Sequence, residues 1–235
     1  MPAMTKPVEI ARSDAAQPPW LAPAYRSTRL RAPRLAPVAI PQTPTETTGP
    51  LFTEDRFPPT DNLAATGARE AMGERIIVTG CVLDEAGRPV PRSMVEIWQA
   101  NAAGRYNHPG DAHDAPLDPH FTGAGRVFTD DRGRYRFVTI KPGAYPWGNH
   151  ANAWRPNHIH FSLFGAGFAA RLITQMYFPG DKLLDLDPIF HAVPDAAARA
   201  RLIAAFDIDV TEPGRALGYR FDIVLRGPKA TPMEG

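Results

Sequence analysis

Proline is the residue that most restricts how this chain of 235 residues can fold, because it removes a backbone donor and opposes both helices and central strands. Twelve of the 26 prolines lie at or before Pro59. The segment that holds them cannot build much regular structure of its own. We therefore predict a proline-rich N-terminal arm and linker over residues 1–73, lying extended against its own core or against a partner subunit. Its apolar anchors would be Trp20, Leu21, Tyr25, Leu30 and Leu35.

From residue 74 onward the sequence changes to short runs of β-branched and apolar residues separated by turn signals. Strands are predicted over residues 75–83, 90–98, 126–129, 134–140 and 219–225, and from His158 onward. The run Asp130-Asp131-Arg132-Gly133 is typical of a hairpin turn between the strands that flank it. Short strands joined by long loops favour a β-sandwich. We predict a mainly β fold, with a β-sandwich catalytic domain over residues 74–235 and long functional loops.

One short helix is predicted in this domain. Asp195 can cap its first turn, since aspartate accepts hydrogen bonds from the free backbone N–H groups there. The apolar residues that would share one face of the helix are Ala198, Leu202, Ala205 and Phe206.

Charge and cysteine content argue against several classes of protein. A formal net charge of +1 argues against nucleic acid or an anionic membrane as the main partner. The single cysteine, Cys81, excludes an intramolecular disulfide and a cysteine-rich zinc site, and its apolar surroundings indicate inert packing. No stretch has the apolar length needed to span a membrane, and the first 30 residues lack a signal-peptide core. We therefore predict a soluble, cytoplasmic protein.

Two histidines and two tyrosines suggest a metal site. In His158-Ile159-His160 the alternation of a strand places both imidazoles on one face, where they can supply one edge of such a site. A bare His-x-His is also typical of a polar strand face. Tyr145 lies in a stiff loop between two prolines, and Tyr106 follows a glycine turn. Tyr106 belongs to a segment, residues 101–125, that is too long for a simple connection and is expected to carry function.

Several sequence runs resemble the intradiol ring-cleaving dioxygenases. They are Trp98-Gln99-Ala100-Asn101-Ala102-Ala103-Gly104-Arg105-Tyr106, Tyr145-Pro146-Trp147, Trp154-Arg155-Pro156-Asn157-His158-Ile159-His160, Thr45-Glu46-Thr47-Thr48-Gly49-Pro50 and Tyr219-Arg220-Phe221-Asp222-Ile223-Val224-Leu225-Arg226-Gly227. The resemblance covers nearly the whole chain after Trp20. The chain departs from the family in the tail from Lys229 to Gly235, which lacks an aromatic residue before its glutamate.

This resemblance implies a non-haem ferric ion, Fe(III), held by Tyr106, Tyr145, His158 and His160. The chemistry of the residues agrees with it, because a phenol with a pKa of about 10 needs a strongly acidic metal to ionise it. Hard anionic oxygen donors also favour Fe(III) over Fe(II). Non-haem Fe(II) sites instead combine two histidines with a carboxylate. The carboxylates that could complete such a site are Asp111, Asp114 and Asp118, but this alternative leaves the two tyrosine motifs unexplained.

The resemblance also implies roles in the reaction. Tyr145 would leave the metal when a catechol binds as a dianion, and would take one of its protons, while Tyr106 stays bound. Arg155 would stabilise electron density that builds on the ring. Without the resemblance, a structural arginine stacked on Trp154 would be the preferred interpretation. Gln175 would support the same edge of the site. The pocket would be lined by Trp98, Trp147 and Ile189, and Tyr25 would reach a substrate carboxylate.

The implied reaction is the cleavage of 3,4-dihydroxybenzoate (protocatechuate) by O2 to 3-carboxy-cis,cis-muconate in aromatic catabolism, in the β-ketoadipate pathway. The implied partner is a homologous α subunit in an αβ hetero-oligomer. Two alternative functions remain open: a metal-free binding or structural module, and an intradiol enzyme for unsubstituted catechol or hydroxyquinol. The relatives that act on catechol or hydroxyquinol carry a helical segment where this chain has its proline-rich arm. The remaining histidines, expected in solvated loops, are His108, His113, His120, His150 and His191.

Overall fold

The computed structural model describes residues 16–38, 53–164 and 171–234, and its strands form a two-sheet sandwich with two further short pairs. In chain order the strands are β1 (Ala65–Thr66), β2 (Arg69–Glu70), β3 (Arg75–Leu83), β4 (Met94–Trp98), β5 (Ala124–Phe128), β6 (Arg134–Ile140), β7 (Tyr145–Pro146), β8 (Trp154–Arg155), β9 (His158–Phe164), β10 (Arg171–Tyr177), β11 (Ala205–Phe206), β12 (Leu217–Arg220) and β13 (Ile223–Val224). The predicted mainly β class is confirmed.

The first sheet has four antiparallel strands in the order β10-β9-β4-β5. Its central strand β9 turns Ile159, Phe161 and Leu163 toward the core, where none is more than 2% exposed. His158 and His160 therefore lie on the opposite face of the sheet, as the alternation predicted. The pairing register aligns His160 with Gln175 on β10 and with Trp98 on β4. It also aligns His158 with Tyr177.

The second sheet is built around β3, which pairs antiparallel with β6 and parallel with β12 and β13. The predicted last strand, residues 219–225, is therefore split, and the split lies at Phe221 and Asp222. Here the Tyr135 hydroxyl donates to the Phe221 carbonyl, and a Cβ on Gly80 would collide with that same oxygen. Only glycine fits at residue 80, because the backbone of the last strand crosses so close to it.

Apolar side chains from both sheets form the main core. Fully buried members are Val78 and Phe137 from the second sheet, and Val95, Phe161 and Met176 from the first. Burying one such side chain contributes about 1.5–3 kcal/mol relative to exposure. The core therefore occupies the inner faces of the sheets and leaves the outer face of the four-stranded sheet for the polar side chains of β9.

The hairpin predicted around residues 130–133 is wrong. The turn exists, since Asp130 Oδ1 accepts from the N–H groups of Arg132 and Arg134. The flanking strands, however, do not pair with each other: β5 pairs with β4, and β6 pairs with β3. The turn thus carries the chain from one sheet to the other. The same local hydrogen bonds serve both connections, so turn chemistry alone could not distinguish them.

Three short α-helices are present among the described residues, where one was predicted: α1 (Thr28–Arg31), α2 (Pro188–His191) and α3 (Ala196–Ala200). Asp195 caps α3 as predicted, and its carboxylate accepts from the N–H groups of Ala197 and Ala198. The helix is shorter than predicted, because Ala205 and Phe206 pair with β12 instead. Within the described ranges, none of the helices is long and apolar enough to cross a membrane.

The described part of the arm, residues 16–38, packs on the sandwich. Tyr25 is buried, but the other predicted anchors are exposed: Trp20, Leu21, Leu30 and Leu35. The boundary between residues 73 and 74 stays a prediction. Leu63 and Ala64, on the arm side of that boundary, are fully buried in the sandwich core. The predicted motif at residues 45–50 lies outside the described residues.

Candidate metal centre

The structure brings together the side chains of Tyr106, Tyr145, His158 and His160. The Tyr106 hydroxyl lies 3.1 Å from His160 Nε2, and the Tyr145 hydroxyl lies 3.3 Å from His158 Nε2. The two imidazole rings are 4.8 Å apart and the two phenol rings 5.3 Å apart, measured between centroids. Two oxygens and two nitrogens therefore meet at one place on the outer face of β9.

Local backbone features hold the two tyrosines there. Gly104 has a φ of 77°, and a Cβ at this position would collide with the Ala144 carbonyl, so the turn before Tyr106 needs glycine. Asp111 then accepts the Tyr106 backbone N–H at 2.7 Å. Tyr145 lies on β7 and pairs with Arg155 on β8. The predicted functional role of the long loop at residues 101–125 agrees with the position of Tyr106.

Each histidine makes a second hydrogen bond, through Nδ1 to an acceptor oxygen, that sets its tautomer. The Nδ1 of His158 is 2.6 Å from the Pro156 carbonyl, and the Nδ1 of His160 is 3.1 Å from the Glu234 carboxylate. A carbonyl only accepts, so Nδ1 of His158 carries the proton and Nε2 keeps a free lone pair. Burial lowers the pKa of His158 well below its usual value, and the charge of Arg155 acts in the same direction. His158 is therefore a neutral donor at neutral pH.

The two phenols need a cation to become ligands. Burial raises the pKa of both Tyr106 and Tyr145 above the ordinary value, so neither ionises at neutral pH without one. Two phenol oxygens and two inward-facing imidazole nitrogens fit a hard, highly charged cation, which can ionise buried phenols. Among the described residues, no group of three or more His, Cys, Asp or Glu side chains is arranged to hold a metal ion.

Arg155 is held in a buried polar network beside these four residues. Its guanidinium donates to the Gln175 side chain and, at 3.3 Å, to the Tyr177 hydroxyl. Its Nε also lies 3.4 Å from the Asp187 carboxylate, a charge contact that lacks the alignment of a hydrogen bond. The Arg155 side chain is 4% exposed and that of Asp187 is fully buried. The guanidinium packs over Trp147 rather than Trp154.

An open cleft of about 590 Å³ reaches the centre from one side. Trp98 forms part of its wall, and its ring stacks on His160 with centroids 4.7 Å apart. The other wall residues are Gln99, Tyr106, Asn107, His108, Gly110, Asp111, Thr122, Gly123, Ala124, Tyr145 and Pro146. The cleft therefore gives a planar ligand a route to both phenols.

Tyr25, Trp147 and Ile189 are not on the wall of this cleft. They form a separate apolar cluster, in which the ring centroids of Tyr25 and Trp147 are 5.6 Å apart. The cluster touches the centre through Trp147, which packs against Arg155. The indole N–H of Trp147 is buried and has no hydrogen-bond partner among the described residues.

Sequence reasoning missed three residues that support the centre: Tyr177, Asp187 and Glu234. Tyr177 follows Gln175 at a spacing of two on β10, so the alternation that placed the histidines could have found it. Asp187 precedes a proline at the start of α2, which is a cap signal. Glu234 was noticed only as part of the tail, and nothing in its local sequence indicates His160 as its partner.

Among the other histidines, His108 lies on the wall of the cleft, and the remaining four are not among its lining residues. His108, His150 and His191 are exposed, which agrees with the prediction of solvated loops, and His120 is partly exposed. His113 is partly buried, with Nδ1 3.1 Å from the Gly104 carbonyl. It therefore helps to hold the turn before Tyr106.

The fold and the paired tyrosines and histidines together define a dioxygenase. The sequence profile described as "Dioxygenase" matches residues 47–227, and the chain belongs to the intradiol ring-cleaving dioxygenase family. A second profile, described as the N terminal of the protocatechuate 3,4-dioxygenase beta subunit, matches residues 10–43.

Individual relatives agree with this family. The protocatechuate 3,4-dioxygenase beta chain of Burkholderia cepacia is 59% identical over 92% of this chain and 93% of its own length. The protocatechuate 3,4-dioxygenase alpha chain of the same organism is 32% identical over 82% of this chain and 96% of its own length. A solved dioxygenase domain from a carbohydrate-binding fusion protein of Streptomyces sp. SirexAA-E has a TM-score of 0.52 and 29% identity, covering 75% of this chain and 93% of that one.

Proposed function

We propose that this chain is the iron-bearing subunit of an enzyme that cleaves protocatechuate with O2, and that Tyr106, Tyr145, His158 and His160 hold its non-haem Fe(III). The observation that carries the proposal is the convergence of two phenol oxygens and two imidazole nitrogens within hydrogen-bond distance. The Burkholderia cepacia beta chain, at 59% identity, is named for the same substrate. When bound, a ferric ion supplies a Lewis acid and template that draws electron density from a catechol ring.

Tyr145 is the proton acceptor in this proposal. A catechol has two acidic protons, and both must be removed for it to bind as a dianion. The Tyr145 oxygen borders the open cleft and lies next to His158. Ionised by a bound ferric ion, this phenolate would receive one of the two protons as the substrate enters, and a hydroxide ion would take the other. Tyr106 lies in the same cleft but is paired with His160, whose far side contacts a carboxylate.

Arg155 supplies fixed positive charge. Burial alone would lower its pKa, but the surrounding groups, Tyr177 and Asp187 first among them, raise the pKa above its ordinary value, so the guanidinium stays charged. Its contacts to Gln175, Tyr177 and Asp187 prevent it from moving when charge builds on the substrate ring. A charge that is already oriented stabilises the transition state without reorganisation. Gln175 acts as a positioning residue by fixing the guanidinium.

The substrate carboxylate needs its own receptor. Trp147 offers a buried N–H without a protein partner among the described residues, and Tyr25 packs against the same indole ring. Ile189 supplies an apolar wall to that cluster. We propose that the carboxylate is received on this side of Arg155, with further groups coming from a second chain. The product is 3-carboxy-cis,cis-muconate, an intermediate of aromatic catabolism through the β-ketoadipate pathway, and we propose a cytoplasmic enzyme.

The second chain in this proposal is a homologous α subunit in an αβ hetero-oligomer. The 32% identity to an alpha chain over 82% of this chain supports a common sandwich for both subunits. This chain expressed alone should be poorly active on 3,4-dihydroxybenzoate, and co-expression with an α partner should restore activity. Full activity of the purified chain as a monomer would contradict the need for a partner.

Iron analysis combined with visible spectroscopy tests the ligand set. Two tyrosinates on Fe(III) should give a charge-transfer band, so the iron-loaded protein should be red to brown and should change colour when a catechol is added. Oxygen uptake on protocatechuate, catechol and hydroxyquinol then separates the substrates. A protein that takes up no iron would favour a metal-free binding module, and a colourless protein with full iron occupancy would contradict the two tyrosine ligands.

A further inference from the structure

The two candidate metal-binding histidines differ in the group that accepts the hydrogen bond from Nδ1. His158 donates its outer Nδ1–H to a backbone carbonyl two residues away, that of Pro156. His160 faces the carboxylate of Glu234, which lies 74 residues further along the chain. A carboxylate acceptor makes an imidazole a stronger electron donor than a neutral carbonyl does. The two halves of the site, Tyr106 with His160 and Tyr145 with His158, are therefore not equivalent.

Glu234 is held in place by several parts of the chain. Its backbone N–H donates to the Ile173 carbonyl at 2.7 Å, so the tail runs beside β10. The hydroxyl of Thr174 donates to the Pro232 carbonyl at 2.7 Å. From the arm, Gln17 accepts the backbone N–H of Met233 at 2.8 Å. The carboxylate is thus delivered to His160 by a tail that both the arm and the sheet fasten.

Resting on the proposed function, we propose that Glu234 is a positioning residue for His160 and makes Tyr106 and His160 the firmly bound half of the iron site. The carboxylate fixes the Nδ1 proton and directs the Nε2 lone pair toward the metal position near the Tyr106 hydroxyl. The half with Tyr145 has only the neutral acceptor behind His158, so it exchanges more easily. This asymmetry would give a structural reason why Tyr145, and not Tyr106, is the ligand that leaves in the proposed function.

The main test is Glu234→Gln, which keeps the size of the side chain and one acceptor oxygen and removes the charge. Loss of such a supporting group typically weakens metal affinity about 10–100-fold. We expect that loss in competition with an iron chelator, together with a shift of the tyrosinate band to longer wavelength, because a weaker histidine donor leaves the iron more electron-poor. The matched control is Glu70→Gln, whose side chain is 70% exposed, and it should bind iron as the wild type does.

A second pair of variants tests the asymmetry between the two halves. Tyr106→Phe should lose more iron than Tyr145→Phe in the wild-type background, and the difference should shrink when Glu234→Gln is added. Melting of the metal-free proteins checks that each variant is folded. If Glu234→Gln does not fold, Gln17→Ala serves instead: it should weaken iron binding by loosening the tail, and Gln17→Glu, which keeps an acceptor, should restore it.

The outcomes separate this inference from the proposed function. A wild type that binds no iron would overturn both. A wild type that binds iron and a folded Glu234→Gln with the affinity and band of the Glu70→Gln control would overturn the role of Glu234 alone. Equal iron loss from Tyr106→Phe and Tyr145→Phe would overturn the asymmetry.

Discussion

The carboxylate of Asp187 contacts the guanidinium of Arg155 with one oxygen and caps a helix with the other. Oδ2 lies 3.4 Å from Arg155 Nε, and Oδ1 accepts the backbone N–H of Ile189 at the start of α2. Tyr177 adds a hydroxyl 3.2 Å from Oδ2. Asp187 thereby links the Arg155 guanidinium to Ile189, which packs in the cluster with Tyr25 and Trp147.

Asp187→Asn should lower turnover while leaving iron content unchanged. Asparagine keeps an acceptor oxygen for the helix cap but removes the buried negative charge beside Arg155. Removing one partner of a buried ion pair typically lowers the free energy of unfolding by about 3–5 kcal/mol. The measurements are kcat, iron content and the melting temperature. Asp185→Asn, an exposed carboxylate two residues away, is the control and should match the wild type. Unchanged kcat in Asp187→Asn would show that the ion pair does not position Arg155.

Arg155→Ala should reduce kcat by about 10²–10³, the usual cost of losing one well-placed electrostatic group. Iron should stay bound, because Arg155 is not one of the four proposed ligands. Its polar contacts are with Gln175, Tyr177 and Asp187. Iron content and single-turnover rates with protocatechuate distinguish the two effects. Normal turnover of Arg155→Ala with full iron content would show that Arg155 has only a structural role.

His160→Ala and Tyr145→Phe should have different consequences. His160 stands on the rigid central strand β9, so its loss removes a permanent donor and most of the iron. Tyr145→Phe should retain iron but bind substrate weakly or turn over slowly, since one proton acceptor is missing. Metal analysis and substrate titration of both variants test this. A Tyr145→Phe protein as active as the wild type would contradict the displacement of this residue.

Asn149→Ala should release the arm. The buried Asn149 amide accepts the Arg26 N–H and donates to the Ala24 carbonyl, both at 2.9 Å, which holds Tyr25 against Trp147. Two hydrogen bonds of this kind contribute about 1–3 kcal/mol together. Proteolysis and hydrogen exchange of residues 16–38 should therefore become faster. Asn152→Ala, in the same loop but exposed, should leave the arm protected. Equal protection of residues 16–38 against proteolysis and hydrogen exchange in both variants would show that Asn149 does not hold the arm.

Cys81 should react slowly with alkylating reagents. Burial raises the pKa of its thiol, and the negative charge of Asp222 acts in the same direction. A raised pKa means a smaller thiolate fraction at any given pH, so the alkylation rate should rise only at higher pH than for a free cysteine. The urea-unfolded chain is the reference. Equal rates for folded and unfolded protein at pH 8 would show that the thiol is not protected.

The sequence was most informative where chemistry and alternation coincide. The strands 75–83 and 134–140 have the predicted bounds, because β-branched and aromatic residues fill each of them and a turn adjoins each. His158, His160 and the two tyrosines were found from local motifs. Asp187 and Glu234 were not, since each acts on a residue distant in the chain. The hairpin at residues 130–133 failed for a related reason: which sheet a strand joins depends on packing that its turn does not encode.

One strand serves two purposes, because β9 gives alternate side chains to the core and to the metal centre. A slip of one residue would exchange its two faces, placing Ile159 and Phe161 against the phenols and two imidazoles in the core. A slipped chain cannot bind a metal there, whereas a metal that binds the correct register stabilises it by mass action. Under the proposed function, iron therefore selects the chains whose β9 has the correct register. The intensity of the colour of a fresh preparation then reports the fraction of such chains.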